Sequence, residues 1–165
     1  MAQSRACAAS PERLWESAKT VRVRDARALR PLIALRLGPY APPATTTFHD
    51  VFRAAPFRLL EEDRHLSVSG LAGRLWSPFA DFAAISTPEE FRAFAEPGQA
   101  KVVLAAAVRE HARGSEIAID AGVWCTSRGA VVRFRPFWAI VGPFARLIRS
   151  ELLAAATRGA EAAGD

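Results

Sequence analysis

The side chains best suited to chemistry are three histidines, two cysteines and a few serines, and their spacing builds no familiar reaction centre. His49, His65 and His111 lack metal-ligand spacing, and no carboxylate sits in the register of a His-Glu-x-x-His helix. His49-Asp50 could form an acid–base pair, but sequence neighbours usually point apart, so a surface role is expected. His111 falls in a short link between two strand-like segments and should be exposed. Cys7 and Cys125 are too few to staple the chain, and Cys125 reads as a packing residue. A Cys–His nucleophile would need spatial proximity that spacing alone does not give. Ser67, Ser69 and Ser127 lack a Gly-x-Ser-x-Gly elbow, and the glycines form neither a phosphate loop nor a dinucleotide fingerprint. No metal and no cofactor is expected.

The remaining polar candidates are Arg74, Trp76, His65, Asp120 and Arg133. Inside a pocket, the planar fork of Arg74 could hold a carboxylate or phosphate; otherwise it would pair with Asp120, Glu89 or Glu90. Asp120 follows Ile117 and Ile119. Turned inward its pKa would rise by desolvation, but the outer surface is its expected place.

These residues must be positioned by elements that the 165-residue chain can form. The length suits one domain, taken as 1–158, with a small polar tail at 159–165 expected to fray. Half the residues are hydrophobic and 24% are charged, which excludes a wholly disordered chain. All but two of the 22 basic side chains are arginine, Lys19 and Lys101 being the exceptions, and the net charge is +5. Asp and Glu are scattered among them, so a solvated basic surface is expected and nucleic acid is not. No apolar run approaches the roughly 20 residues of a membrane span. No secretion signal or lipidation motif is visible, so the cytoplasm is the expected location.

Residues 2–9 could form a short strand. Ser10-Pro11-Glu12-Arg13 opens a helix, with Ser10 as cap and Pro11 in the first turn. A second helix is expected from Arg24 or Asp25 to Leu37, ended by Gly38-Pro39. Glu61-Glu62-Asp63 reads as an acidic turn. His65 to Gly73 alternates, with Leu66, Val68 and Gly70 on one face and Ser67, Ser69 and Leu71 on the other, which predicts a strand. Thr87-Pro88-Glu89-Glu90 starts a short helix that Pro97-Gly98 stops. Ala100–Glu110 and Ser115–Thr126 predict two antiparallel strands joined by a hairpin. From Ser127 to about Arg158 a long helix carries Val131, Phe134, Trp138, Val141, Ala145, Ile148 and Leu152 on one face, broadened by Phe137 and Phe144. Pro136 and Pro143 should interrupt or kink it. Two short helices, antiparallel strands and a long helix make an α+β chain.

This order resembles the helix-grip fold of the START-like (SRPBCC) superfamily, which includes Bet v 1-like proteins, polyketide cyclases and lipid-transfer domains. Ser10-Pro11-Glu12-Arg13-Leu14-Trp15 looks like the opening of the first helix in bacterial members. Gly73-Arg74-Leu75-Trp76 and the stretch Glu89 to Lys101 resemble segments of uncharacterised bacterial members. Phe137 to Phe144, with Leu147-Ile148-Arg149, resembles their C-terminal helix and the C-terminal pattern of the family of unknown function DUF2867. The resemblance implies a curved antiparallel sheet around a long kinked helix, with a cavity between them. It implies lining by Leu66, Val68, Leu104, Ala106 and Trp124 from the sheet and by Phe134, Phe137, Trp138, Val141 and Phe144 from the helix, with Arg74 or Trp76 orienting a ligand head. Val108 is a further sheet candidate. Relatives tend to carry bulky aromatics at the positions of Leu104 and Ala106, so inward placement here would enlarge or reshape the cavity. The resemblance transfers no catalytic residue.

The expected partner is therefore a hydrophobic or amphipathic small molecule. A cyclase or dehydratase acting in the same cavity is the alternative, relying on proximity more than on polar groups. A third reading sets the basic N-terminal residues Arg22, Arg24, Arg27, Arg30 and Arg36 against anionic lipid without stable insertion. A homodimer is left open.

Overall fold

A computed structural model of the chain describes residues 2–25, 40–77 and 81–163. Its strands are β1 (Ala2–Cys7), β2 (Arg58–Asp63), β3 (Leu66–Gly73), β4 (Ala100–His111) and β5 (Gly114–Cys125). They form one curved antiparallel sheet in the order β1-β5-β4-β3-β2. The helices are α1 (Pro11–Thr20), α2 (Phe48–Val51), α3 (Pro88–Ala93) and α4 (Arg128–Ala162). The architecture is α+β.

Local chemistry explains the boundaries. The Ser10 side chain accepts from the Arg13 amide at 3.3 Å, and Pro11 occupies the first turn of α1. Thr87 and Glu90 form a reciprocal capping box at α3. Ser127 caps α4 by accepting from the Ala130 amide, and it also accepts from Gly98, which ties the preceding loop to the helix start. The β4–β5 hairpin turns through Ala112-Arg113 into Gly114, whose φ of +132° brings it against the Cys7 carbonyl.

Several sequence expectations change. The helix expected over 24–37 lies mostly outside the described residues, and its start, Val23–Asp25, is a single 3-10 turn. Glu61-Glu62-Asp63 is not a turn but the exposed end of β2, an outer strand, where an alternating pattern is not required. The pairing of β2 with β3 shifts by one residue between Leu59 and Glu61. α4 passes through Pro136 and Pro143 without interruption. Both prolines are exposed, as are Val132 and Ala139 four residues before them, so water can satisfy the carbonyls that lose an amide partner. The tail does not fray at Arg158: α4 continues to Ala162, with Ala160 fully buried.

α4 lies over one face of the sheet, and α1 packs beside its C-terminal part. Two hydrophobic clusters result. One joins Leu14, Trp15, Val108, Ile117, Leu152, Leu153 and Ala156, together with Phe48 and Val51. The other joins Leu71, Leu75, Ala100 and Phe134, flanked by Phe82, Phe137 and Trp138. No helix among the described residues is long and apolar enough to cross a membrane.

Candidate functional site

The two clusters leave space between sheet and helix. It has two compartments, of about 260 Å³ and about 250 Å³, which share Phe48, Phe52, Val102, Leu104, Trp138, Ala145 and Ile148 in their walls. Joined, they fall in the size range of small-molecule pockets.

Strand alternation decides which sheet residues reach this space. Val102, Leu104 and Ala106 of β4 face it, as do Ile117, Ile119, Ala121 and Val123 of β5. Leu104 and Ala106 thus stand where expected, and their modest size leaves the space open. β3 contributes Ser67 and Ser69 to the first compartment and Leu71 to the second. Leu66 and Val68 belong to the opposite face, which corrects the expected lining. They share that face with Gly70, which lies directly under the Phe91 ring of α3. The outer face is thus partly covered by α3, so apolar residues are accommodated there as well. Trp124 is also on the outer face, 56% exposed, its ring folded over Gly122. Val108 is buried in the α1 cluster and lines neither compartment.

The helix contributes what its stripe predicts. Phe134, Phe137, Trp138, Val141 and Phe144 line the second compartment. Phe134 stacks on Trp138 with ring centroids 5.6 Å apart. Phe52 and Phe57 meet edge to face opposite them. Val131, at the head of the stripe, is exposed. Among the described residues, every side chain lining this compartment is apolar or aromatic.

The polar candidates fall elsewhere. Arg74 is exposed and forms an ion pair with Asp81 at 2.6 Å, a partner not among those foreseen. Trp76 packs at the edge of the Phe134 cluster, outside the lining of either compartment. Asp120 is exposed, its carboxylate accepting from the Ala121 amide at 2.8 Å. Arg133 and His111 are exposed. His65 lies 4.0 Å from Glu12, away from both compartments. Cys125 flanks the Phe134 cluster, and burial pushes its thiol above the usual pKa.

Polar groups that were not expected at a cavity wall line the first compartment: Lys19, His49, Ser67, Ser69 and Arg149. Lys19 is paired with Glu16. His49 is half-buried rather than on the open surface. Its Nε2 is 3.3 Å from Arg53, which is itself ion-paired to Glu62. Burial, then the Arg53 charge, hold His49 below the ordinary histidine pKa. Arg149 is 5% exposed and donates through Nε to Gln3 Oε1 of β1 at 3.0 Å. Burial lowers its pKa, which the nearby Asp120 charge opposes. One of its terminal amino groups is buried without a hydrogen-bond partner. Ser69 Oγ, on a residue 2% exposed, is likewise unpartnered. The signal for Arg149 was its spacing: it follows Ala145 by four and precedes Leu152 by three, a charge set within the apolar stripe.

Among the described residues, no group of three His, Cys, Asp or Glu side chains is placed to hold a metal ion. Comparison with known protein families, curated proteins and solved structures finds no match.

Proposed function

We propose that this chain binds an apolar or amphipathic small molecule between its sheet and α4, and that its architecture is a helix-grip fold of the START-like kind. The carrying observation is the two-compartment cavity, which separates the hydrophobic clusters and has an aromatic wall from α4. Burial of ligand surface there would drive binding at roughly 25 cal/mol per Å² before association costs. The resemblance of the first and last helices to START-like proteins supports the same reading, as an analogy of fold.

The neutral dye Nile red tests it. One dye should bind per chain with saturable brightening, displaced by decan-1-ol. Ala106→Phe, which fills the first compartment from β4, should weaken uptake at least tenfold while the chain stays folded by circular dichroism. Absence of saturable uptake, or uptake indifferent to Ala106→Phe, would overturn the reading.

A cyclase or dehydratase is the second reading. It draws on His49, an imidazole at the cavity wall that can accept or donate a proton.

A further inference from the structure

Resting on the small-molecule reading above, we infer that the ligand is an amphiphile with a single carboxylate. Arg149 is its counter-ion in the first compartment, and the hydrocarbon tail occupies the second compartment.

Four observations carry this. First, Arg149 is a buried cation at the cavity wall with a terminal amino group that nothing in the fold engages. A buried donor left unpaired is costly, and a charged one more so. Second, the Nε bond to Gln3 holds the guanidinium in place and leaves its terminal amino groups for another acceptor. Such a fork matches the two oxygens of a carboxylate. Third, Ser69 Oγ is a second buried, unpartnered group on the wall of the same compartment. It lies on β3, with β5 and β4 between it and the β1 residue that holds Arg149, so it marks the compartment as partly polar without sharing the Arg149 acceptor. Fourth, no Asp or Glu lines either compartment among the described residues, and the polar groups are confined to one of them. The ligand this arrangement fits has an acceptor at one end and hydrocarbon at the other.

Charge balance selects the head group. Lys19 already has Glu16, and burial favours neutral His49. Among the described residues no carboxylate pairs directly with Arg149. Asp120 acts on it only from the exposed face of β5. Glu151 Oε2 is also buried without a partner, but Glu151 lines neither compartment. On the cavity wall one buried positive charge therefore awaits one negative charge, which favours a carboxylate over a phosphate dianion.

Calorimetric titration of the full chain with decanoate, decan-1-ol, decylamine and decyl phosphate tests this, since the four share a tail. Decanoate should bind about ten- to a hundredfold more tightly than decan-1-ol, the range of a charge-assisted hydrogen bond. Decylamine should bind most weakly. Arg149→Met, which keeps most of the volume, should equalise acid and alcohol while alcohol binding persists. If that variant fails to fold, Arg149→Lys serves instead. It keeps the charge but loses the planar fork, and the preference for decanoate should fall severalfold. Equal binding of decanoate and decan-1-ol would overturn the carboxylate assignment and leave small-molecule binding standing. Tenfold tighter binding of decyl phosphate than of decanoate would overturn it as well. Failure of all four to bind would overturn the small-molecule reading itself.

Discussion

From Leu152 onward, α4 turns compact side chains toward the sheet: Leu152 and Ala156 close off the first compartment, and Leu153 and Ala160 are buried against α1 and the β1–β5 side. Between Phe134 and Ile148 the same helix presents Phe134, Phe137, Trp138 and Val141, which bound open space rather than fill it. Small side chains let two elements approach closely. At Gly159 an added Cβ would fall 2.5 Å from Ser17 Oγ of α1, which donates to the Ala156 carbonyl. Large rings on stiff rotamers hold helix and sheet apart when nothing opposite interdigitates with them. One helix thus serves as a wedge at one end and a clamp at the other, and Arg149 stands at the boundary.

Parallel truncations would break this contrast most directly. Leu153→Ala at the clamp should cost about 2–5 kcal/mol of stability, because it leaves a cavity in packed core. Val141→Ala, which borders existing space, should cost less than about 1.5 kcal/mol. Urea unfolding measures both, and equal losses would mean that the aromatic end is packed as tightly as the other. Smaller in effect, Pro143→Ala should raise stability by about 1–2 kcal/mol: helix propensity improves, offset by a more flexible unfolded chain. A loss instead would show that the proline shapes the aromatic end.

The smallest expected effect lies at the wall of the first compartment. His49 has its folded pKa below the unfolded value near 6.5, so the unfolded chain takes up a proton first as pH falls. Its neutral form is therefore matched to the fold above about pH 6.5. Stability is lost as pH drops through that value, and the loss levels off below the folded pKa. His49→Gln should remove this part of the acid-side decline in urea midpoints measured between pH 8 and pH 5. An unchanged decline would show that His49 is as hydrated as a surface histidine.

Legibility in the sequence follows the range of the interaction that fixes each feature. The Ser10 and Thr87 caps and the β4–β5 hairpin were readable because their signals lie within a few residues. The aromatic stripe of α4 was readable for the same reason. The working face of β3 was not. Both of its faces alternate acceptably, and the more apolar one, with Leu66 and Val68, turned out to lie on the side of the sheet that carries α3. Ser67 and Ser69 reach the cavity because of where α4 lies, which no local pattern encodes. The role of Arg149 is not legible locally because its partner, Gln3, is at the far end of the chain. The prolines misled because their effect depends on which side faces water.

The acids at the end of β2 bear on how copies of this chain meet. An outer strand offers unpaired backbone amides and carbonyls to any other strand of the right length. Two molecules joining antiparallel about Glu62 would set the run Glu61-Glu62-Asp63 of one directly against that of the other, concentrating like charge on a shared rim. Each directly opposed acid pair would weaken such a joint by up to about 1 kcal/mol, and the irregular pairing beside Leu59 further spoils the template. Self-association in that register is therefore disfavoured at this margin.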